Sequence, residues 1–465
     1  MSAANIRPIA EPREFTLEEL FFSTTDLQGR ITYGNPVFVR ISGYSEDELL
    51  GSPHNIIRHP DMPRAVFKLL WDYIEDGRTI AAYVKNMAQD GRYYWVLAVA
   101  MPCDGGYLSV RLKPSSPLFT TVQDIYREAL AVETAAAADA SDRRAAMEAG
   151  GAKIIERLRQ HGFASYDDFM REALSRELGA RSETLGATIR RPTGIEHPTL
   201  HAIQRDCRQV GDLLEHLFAS LGLFKRLNQE LVEKSSGLYD MAETLHYESL
   251  NAKIAASKLE HGAAVLGAIS RELSAASRDT ESRISRFIEL THPIASLIGD
   301  VIFDVGAARL ESEICTLFAF ELAQHADSNN GELVRKSLQR LADETASRGR
   351  AVETRLRELM GAMDGLNTVA SEIMAKVAEM KAVQFAGAKE ALSRNDAAGF
   401  VTIFNAVGDR IARGKEDWGM LLETIAACRR CAADFVINAP VVRRLLDAVQ
   451  RNASDSIADQ LVAAR

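Results

Sequence analysis

Residues 24–63 read TTDLQGRITYGNPVFVRISGYSEDELLGSPHNIIRHPDMP, and this stretch decides the fold of the N-terminal part of the chain. A Gly-containing turn separates two strand-like runs at its start, and Ser45 followed by Glu48 forms a capping box that predicts a short helix. At its end, a proline-containing turn holds an arginine, a histidine and an aspartate close together. Such a cluster in a rigid turn indicates a site for a polar ligand, and the arginine suits phosphate.

One helix and three strands follow this stretch along the chain. Apolar residues at helical spacing predict a helix over Pro63–Tyr73, and alternating runs over 81–86, 93–101 and 107–112 predict three strands. Gly-containing turns separate these runs, and Asp-Gly between alternating runs is a strong hairpin signal. The order of two strands, short helices and three antiparallel strands predicts an α+β domain over residues 18–116.

The composition of the whole chain narrows the class of protein. The 465 residues are 46% hydrophobic and 26% charged, which indicates a folded protein of two or three domains. A net charge of −9 argues against a general nucleic-acid binder. Five scattered cysteines indicate a reducing compartment. Because neither a signal-peptide core nor a run of about 18 apolar residues occurs, we expect a cytoplasmic protein without a membrane span.

Beyond residue 120 the sequence is helical in texture and heptad-like in part. Leu231, Leu238 and Leu245 recur every seven residues, which predicts a coiled coil, and Pro293 is predicted to end that helix. Helices of this kind need a partner to bury their apolar seam, so we expect a homodimer. The predicted domains are an N-terminal arm (1–17), the α+β domain (18–116), a helical linker region (117–200), an antiparallel helical hairpin (201–292) and a C-terminal helical region (293–465).

The N-terminal domain resembles the PAS sensor module of bacterial aerotaxis receptors. The resemblance covers residues 18–116 and rests on the stretch quoted above, on VKN at 84–86 before the DGRYYW hairpin, and on YLSVRLKP at 107–114. It implies a PAS fold, FAD as the cofactor, and a role as a redox or oxygen sensor in signal transduction. Ile80-Ala81-Ala82 stands where the family has a tryptophan and a glycine.

The side chains expected to hold the flavin are amides, a charged turn and aromatic walls: Asn35, Arg58, His59, Asp61, Trp71, Asn86 and Trp95. The resemblance implies this role for all of them except the two tryptophans, which are candidate ring walls. Structural alternatives stay open for each residue. Arg58 and Asp61 could form an ion pair that closes a turn, and Asn35 before Pro36 could cap a helix. Haem bound through His54 or His59 is a rival cofactor, and a domain without any cofactor is a third alternative.

A second resemblance lies in the helical part, where residues 249–277 read SLNAKIAASKLEHGAAVLGAISRELSAAS. The segment is similar to the tip of methyl-accepting chemotaxis proteins, although Ala255 replaces the acidic residue of that family. The resemblance implies contacts with a chemotaxis histidine kinase and its coupling protein, for which Asn251 and Lys258 are the candidate residues. The structural alternative is an ordinary antiparallel helical hairpin.

No enzymatic signature is found in the sequence. A phosphate-binding loop, a dinucleotide fingerprint after a strand, kinase strings and cyclase signatures are all missing from the 465 residues, so we expect no catalytic activity and no metal site. Two alternatives to a sensor remain. His246 could accept a phosphoryl group, and the chain could be a scaffold that dimerises through the PAS module and recruits partners through its helices.

Overall fold

The computed structural model describes residues 6–139, 143–186, 195, 197–257, 263–324, 331–394 and 398–463. Within these ranges the N-terminal elements are β1 (Phe21–Asp26), β2 (Ile31–Gly34), α1 (Pro36–Ser42), α2 (Glu46–Leu49), a 3₁₀ helix (His54–Ile57), α3 (Arg64–Glu75), β3 (Ile80–Met87), β4 (Tyr93–Cys103) and β5 (Gly106–Leu112). The remaining helices are α4 (Leu118–Asp139), α5 (Arg143–Gln160), α6 (Tyr166–Leu185), α7 (Pro198–Ala256), α8 (Ala263–Gln324), α9 (Gly331–Leu392) and α10 (Ala398–Ala463).

The sheet confirms the predicted α+β domain. Its five strands lie in the order β2-β1-β5-β4-β3, and every neighbouring pair is antiparallel. The β3–β4 hairpin turns at Gly91, whose φ of 87° lies in the left-handed region that favours glycine. The predicted capping box is also present, since Ser45 and Glu48 exchange hydrogen bonds at the start of α2. Sequence alternation and turn chemistry therefore set this topology.

Two compact units divide the chain. The first comprises residues 1–218, 302–352 and 439–465, and the second comprises 219–301 and 353–438. In the first unit, helices cover the outer face of the sheet, the face opposite α3. Tyr83 of β3 stacks on Phe119 of α4, with ring centroids 5.8 Å apart. Phe22 of β1 meets Phe318 of α8 edge-on at 4.6 Å. Large apolar rings thus join this face to the helical part of the same chain.

Buried polar groups fix the same helices to the outer face. Glu177 of α6 is fully buried and accepts hydrogen bonds from the hydroxyl of Tyr83 at 2.7 Å and from the backbone N–H of Ser116 at 2.9 Å. Arg348 of α9 is also buried and donates to the hydroxyl of Thr79 at 3.0 Å and to Glu311 of α8 at 2.6 Å. Each of these buried charges has partners, as burial of charge requires.

The second unit contains segments of four long helices. Arg283 of α8 pairs with Glu372 of α9, and Phe287 of α8 packs on Trp418 of α10 at 4.8 Å between ring centroids. Pro293 lies inside α8, so the prediction that it ends this helix is wrong. The packing of α8 on its neighbours outweighs the hydrogen bond that a proline removes.

Two leucines of the heptad seam of α7 whose burial the structure describes, Leu231 and Leu245, are buried inside one chain. Leu231 and Leu245 are each 1% exposed, and Leu266 and Leu273 of α8 are fully buried. The physical reason for expecting a homodimer, an uncovered seam, therefore does not apply to these positions, and dimerisation stays a prediction. In the part of the chain that the structure describes, no helix is long and apolar enough to cross a membrane.

Candidate functional site

A cavity of about 200 Å³ lies between the inner face of the sheet and α3. Residues of the sheet, of α3 and of the turn around the 3₁₀ helix line it: Ser23, Thr25, Gln28, Gly29, Pro53, His54, Asn55, Arg58, Phe67, Leu70, Trp71, Ile74, Val84, Asn86, Ala98, Ala100, Tyr107, Leu108, Ser109 and Arg111. Three of the seven predicted cofactor residues, Arg58, Trp71 and Asn86, are among them.

The cavity has a floor of small side chains and a roof of large ones. Ala98 and Ala100 of β4 lie beside Arg111 and Ser109 of β5 in the sheet register. The two alanines and Ser109 are small and leave room above the strands. On the roof, the indole of Trp71 meets the ring of Tyr107 edge-on at 5.5 Å. A flat floor under an aromatic roof is suited to a planar ring system.

Close packing also holds Trp71 in place over the turn between β1 and β2. A Cβ added to Gly29 would lie 2.7 Å from the indole atom Cη2, and the φ of Gly29 is 73°. Only glycine satisfies both the turn and this approach.

Arg111 is the buried cation of the cavity, and the sequence analysis missed it. It is 4% exposed, and its guanidinium donates to the hydroxyl of Ser23 at 3.0 Å and to Nε2 of His54 at 2.7 Å. Among the described residues, no carboxylate pairs with it. Burial lowers the pKa of Arg111 to about 10. A buried guanidinium with no acid beside it is costly unless something compensates its charge.

His54 is held neutral by the same contact. Its Nε2 must accept, because the guanidinium of Arg111 only donates. Burial, followed by the nearby charge of Arg111, lowers the pKa of His54 to about 3. Its ring stacks on Phe38, with centroids 6.2 Å apart and planes 11° apart.

Asn86 and Arg58 meet at the opposite side of the cavity, where their backbones form an isolated antiparallel bridge. Asn86 is 3% exposed, and its side-chain amide has no hydrogen bond to any described residue. Arg58 donates to the carbonyl oxygen of Met62 at 3.0 Å and lies over the ring of Phe67 at 4.6 Å. An uncommitted amide and a guanidinium with spare donors therefore face the cavity.

His59 and Asp61 lie outside the lining and shape the turn instead. Nδ1 of His59 accepts the backbone N–H of Asp61 at 3.1 Å, and burial together with the charge of Lys85 lowers the pKa of His59 to about 4. Asp61 accepts from Lys85 of β3 at 2.8 Å. The structural alternative of an Arg58–Asp61 ion pair is wrong, since Asp61 pairs with Lys85 and lies 3.5 Å from Nδ1 of His59.

Asn35 and Trp95 are also placed away from the cavity. Asn35 caps α1: its Oδ1 accepts from the backbone N–H groups of Phe38 and Phe22, and its Nδ2 donates to the carbonyl of Leu20. Trp95 points to the outer face of the sheet and packs on α4, with its ring 5.3 Å from that of Phe119. The structure thus places Asn35 at a helix cap and Trp95 against α4, and neither residue lines the cavity.

Of the two candidate partner-binding residues, the structure describes one. Asn251 is exposed on α7, and its amide lies 3.5 Å from Glu248. Three apolar neighbours on the same helix, Tyr247, Leu250 and Ile254, are 56%, 42% and 48% exposed. Lys258 lies outside the described residues.

Residues 31–107 match the family described as the PAS fold. Over 110 residues the chain is 43% identical to the aerotaxis receptor of Escherichia coli (strain K12), a match that covers 23% of this chain and 22% of that protein. Over 85 residues it is 32% identical to the nitrogen fixation regulatory protein of Klebsiella pneumoniae, covering 18% of this chain and 17% of that one. The chain thus spans about a fifth of the length of these relatives. The N-terminal domain is a PAS domain, as predicted.

Two solved structures show the level of structural likeness. The dark structure of the blue-light photoreceptor Aureochrome1 LOV is 26% identical, with a TM-score of 0.20, and the match covers 25% of this chain and 98% of that one. The Rhodobacter sphaeroides LOV protein is 16% identical, with a TM-score of 0.20, over 31% and 86% of the two chains. These TM-scores support no statement about the ligand of this chain.

Proposed function

We propose that this chain is a redox or oxygen sensor of the aerotaxis-receptor type, whose PAS cavity binds a flavin, FAD in particular. The observation that carries the proposal is the buried Arg111 guanidinium on the cavity wall, which has no carboxylate partner among the described residues. The 43% identity to an aerotaxis receptor over this domain supports the same reading.

The residues of the cavity fit a flavin. Its ring would lie on the small side chains of β4 and β5 and under Trp71, and its polar edge could take hydrogen bonds from the amide of Asn86. Arg111 would compensate negative charge on the ring, and Arg58 would hold phosphate. The cavity of about 200 Å³ is smaller than a typical ligand site of roughly 300–1,000 Å³, so it would enclose the ring system of a flavin and not a whole dinucleotide.

A bound flavin supplies reversible electron transfer. The chain would respond through its own contacts: a change of charge above the sheet alters the hydrogen bonds that Asn86 and Arg111 make, and the strands that carry them also pack against helices. A signal of this kind requires that the two redox states interact differently with two arrangements of the protein. No reaction catalysed by the protein is needed.

Haem fits less well than flavin, because both candidate iron ligands are committed. Nε2 of His54 accepts a hydrogen bond from the guanidinium of Arg111, and Nδ1 of His59 accepts one from the backbone N–H of Asp61. Iron ligation by His54 would have to displace a cation at 2.7 Å.

The proposed output passes through the helices to partner proteins of the chemotaxis class, a histidine kinase and its coupling protein. The exposed apolar side chains beside Asn251 on α7 support this surface. A homodimer and a cytoplasmic location belong to the same proposal. Leu250→Glu should abolish capture of such a kinase by the full chain. Glu243→Gln, on the same helix, is the control and should leave capture unchanged.

An absorbance spectrum of the purified full chain tests the cofactor. We expect a blue flavin band that dithionite bleaches, and release of FAD on denaturation. Asn86→Ala should weaken flavin binding about tenfold, the value of one hydrogen bond that leaves its partner unsatisfied. A Soret band would move the assignment to haem. A protein that stays colourless after flavin is supplied would contradict the sensor proposal and favour a scaffold that dimerises through the PAS module without a cofactor.

A further inference from the structure

A second cavity of about 420 Å³ lies behind Arg58, between the turn that follows the 3₁₀ helix and the helices α4 and α5. Its lining combines three arginines with apolar side chains: Arg58, Pro60, Met62, Arg64, Leu130, Glu133, Thr134, Ala137, Arg143, Ala146 and Met147. Arg58 lines both cavities.

The lining of this second cavity carries net positive charge, with three arginines and one carboxylate, that of Glu133. Among the described residues, none of its three arginines, Arg58, Arg64 and Arg143, has a carboxylate within ion-pair distance. The one acid in the lining, Glu133, is already engaged, since its two carboxylate oxygens accept the backbone N–H groups of Arg64 at 2.8 Å and Ala65 at 2.7 Å. These amides begin α3, where a negative charge is favourable. Three arginines without an ion pair to a described residue therefore line one cavity, and one of them, Arg58, also donates to the carbonyl oxygen of Met62.

The remaining lining is apolar and includes two sulfur-containing side chains, Met62 and Met147, beside Leu130 and Ala146. Methionine side chains adapt to and pack well on aromatic rings. Guanidinium groups beside such a surface match the chemistry of a nucleotide, with phosphates at the arginines and a base on the apolar wall.

We infer that this second cavity binds the pyrophosphate and nucleoside half of a dinucleotide, and that the α4–α5 hairpin selects FAD over FMN. The inference rests on the proposed flavin binding and extends it to a pair of helices beyond the residues that match the PAS family, which end at 107. Arg64 and Arg143 are the residues that make the selection. The cavity under Trp71 takes the ring, and Arg58, which lines both cavities, contacts the part of the ligand between ring and nucleoside.

The experiment measures the affinities of the full-length, flavin-free chain for FAD, FMN and riboflavin by fluorescence titration. We expect FAD to bind at least about tenfold more tightly than FMN, and FMN more tightly than riboflavin, because each phosphate contact with a cation adds a charge-assisted hydrogen bond. Arg143→Gln and Arg64→Gln should each lower FAD affinity about tenfold and leave riboflavin affinity unchanged. Both residues are exposed, so these variants should fold as the parent chain does.

The adjacent arginine provides a matched control. Arg144 is also exposed on α5, but it donates to Glu148 at 3.0 Å and does not line the cavity, so Arg144→Gln should keep the FAD preference. A filling variant, Ala137→Trp, introduces bulk at an exposed lining position without removing charge and should weaken FAD while sparing riboflavin.

Equal affinity of the parent chain for FAD and FMN, or FAD preference that survives both arginine substitutions, would overturn the inference while leaving flavin binding intact. Failure to bind any of the three flavins would overturn both the inference and the proposed function.

Discussion

Replacing Arg111 by methionine should make the cofactor-free protein more stable and, at the same time, unable to hold a flavin tightly. Arg111 is 4% exposed, it lines the cavity, and its hydrogen bonds go to neutral groups on Ser23 and His54. Methionine has a similar length and no charge, so the substitution removes the buried cation and keeps most of the packing.

The magnitude follows from the pKa of the guanidinium. Burial lowers this pKa from 12.5 to about 10, which at 1.36 kcal/mol per unit corresponds to a folding cost of roughly 3 kcal/mol. The cost is present in full below pH 10, because the unfolded chain then holds the same proton in water. Loss of the hydrogen bonds to Ser23 and His54 lowers the free energy of unfolding of the variant by about 1 kcal/mol each. We therefore expect Arg111→Met to raise the free energy of unfolding by roughly 1 kcal/mol.

The assay combines urea unfolding of flavin-free protein at pH 7 with a flavin titration. Affinity for the flavin should fall more than about tenfold, because the compensating charge is gone. Arg127→Met serves as the control: Arg127 is an exposed arginine on α4, paired with Asp124 at 2.8 Å, and its loss should change neither quantity by more than about 0.5 kcal/mol. A variant that is less stable than the parent and binds flavin equally well would refute the reasoning.

Three further predictions test other parts of the structure. Trp71→Leu should weaken flavin binding about tenfold, whereas Trp95→Leu should leave affinity unchanged and cost roughly 1–3 kcal/mol of stability; the reverse result would place the cavity on the other face of the sheet. Burial raises the pKa of Glu321 from 4.5 to about 7, so the native state binds this proton more tightly and the free energy of unfolding should fall as pH rises through that interval. In urea unfolding, the drop in the free energy of unfolding between pH 5 and pH 8 should be smaller in Glu321→Gln than in the parent chain, by up to roughly 3 kcal/mol. Equal drops in parent and variant would contradict the assignment to Glu321. A Cβ at Gly150 would lie 2.4 Å from Cγ of Glu133, so Gly150→Ala should destabilise the chain by roughly 1–3 kcal/mol, and by clearly less in a Glu133→Ala background.

Local sequence signals were sufficient for the PAS domain. Strand alternation, Asp-Gly turns and the capping box at Ser45 are short-range effects, and the structure confirms the elements that they predicted. Pro293 shows the limit of such signals. A proline removes one hydrogen bond from a helix, but tertiary packing along α8 decides whether the helix continues.

The site was only partly predictable, because residue type alone does not tell which face a side chain occupies. Trp95 was predicted to be a ring wall, yet strand alternation puts it on the face that α4 covers. The same alternation could have found Arg111, since Val110 and Leu112 occupy one face of β5 and Arg111, between them, therefore belongs to the other. The second cavity could not have been predicted, because α4 and α5 reach it only through the tertiary fold.

The helices that cover the outer face of the sheet belong to the same molecule as the sheet. Any rearrangement of Phe22 against Phe318, or of Tyr83 against Glu177, is therefore a unimolecular step. Its equilibrium constant is dimensionless, and the fraction of molecules in each arrangement does not depend on how many copies a cell contains. Protein concentration would therefore enter a response that uses this face only through steps that involve a second copy, such as the proposed homodimer.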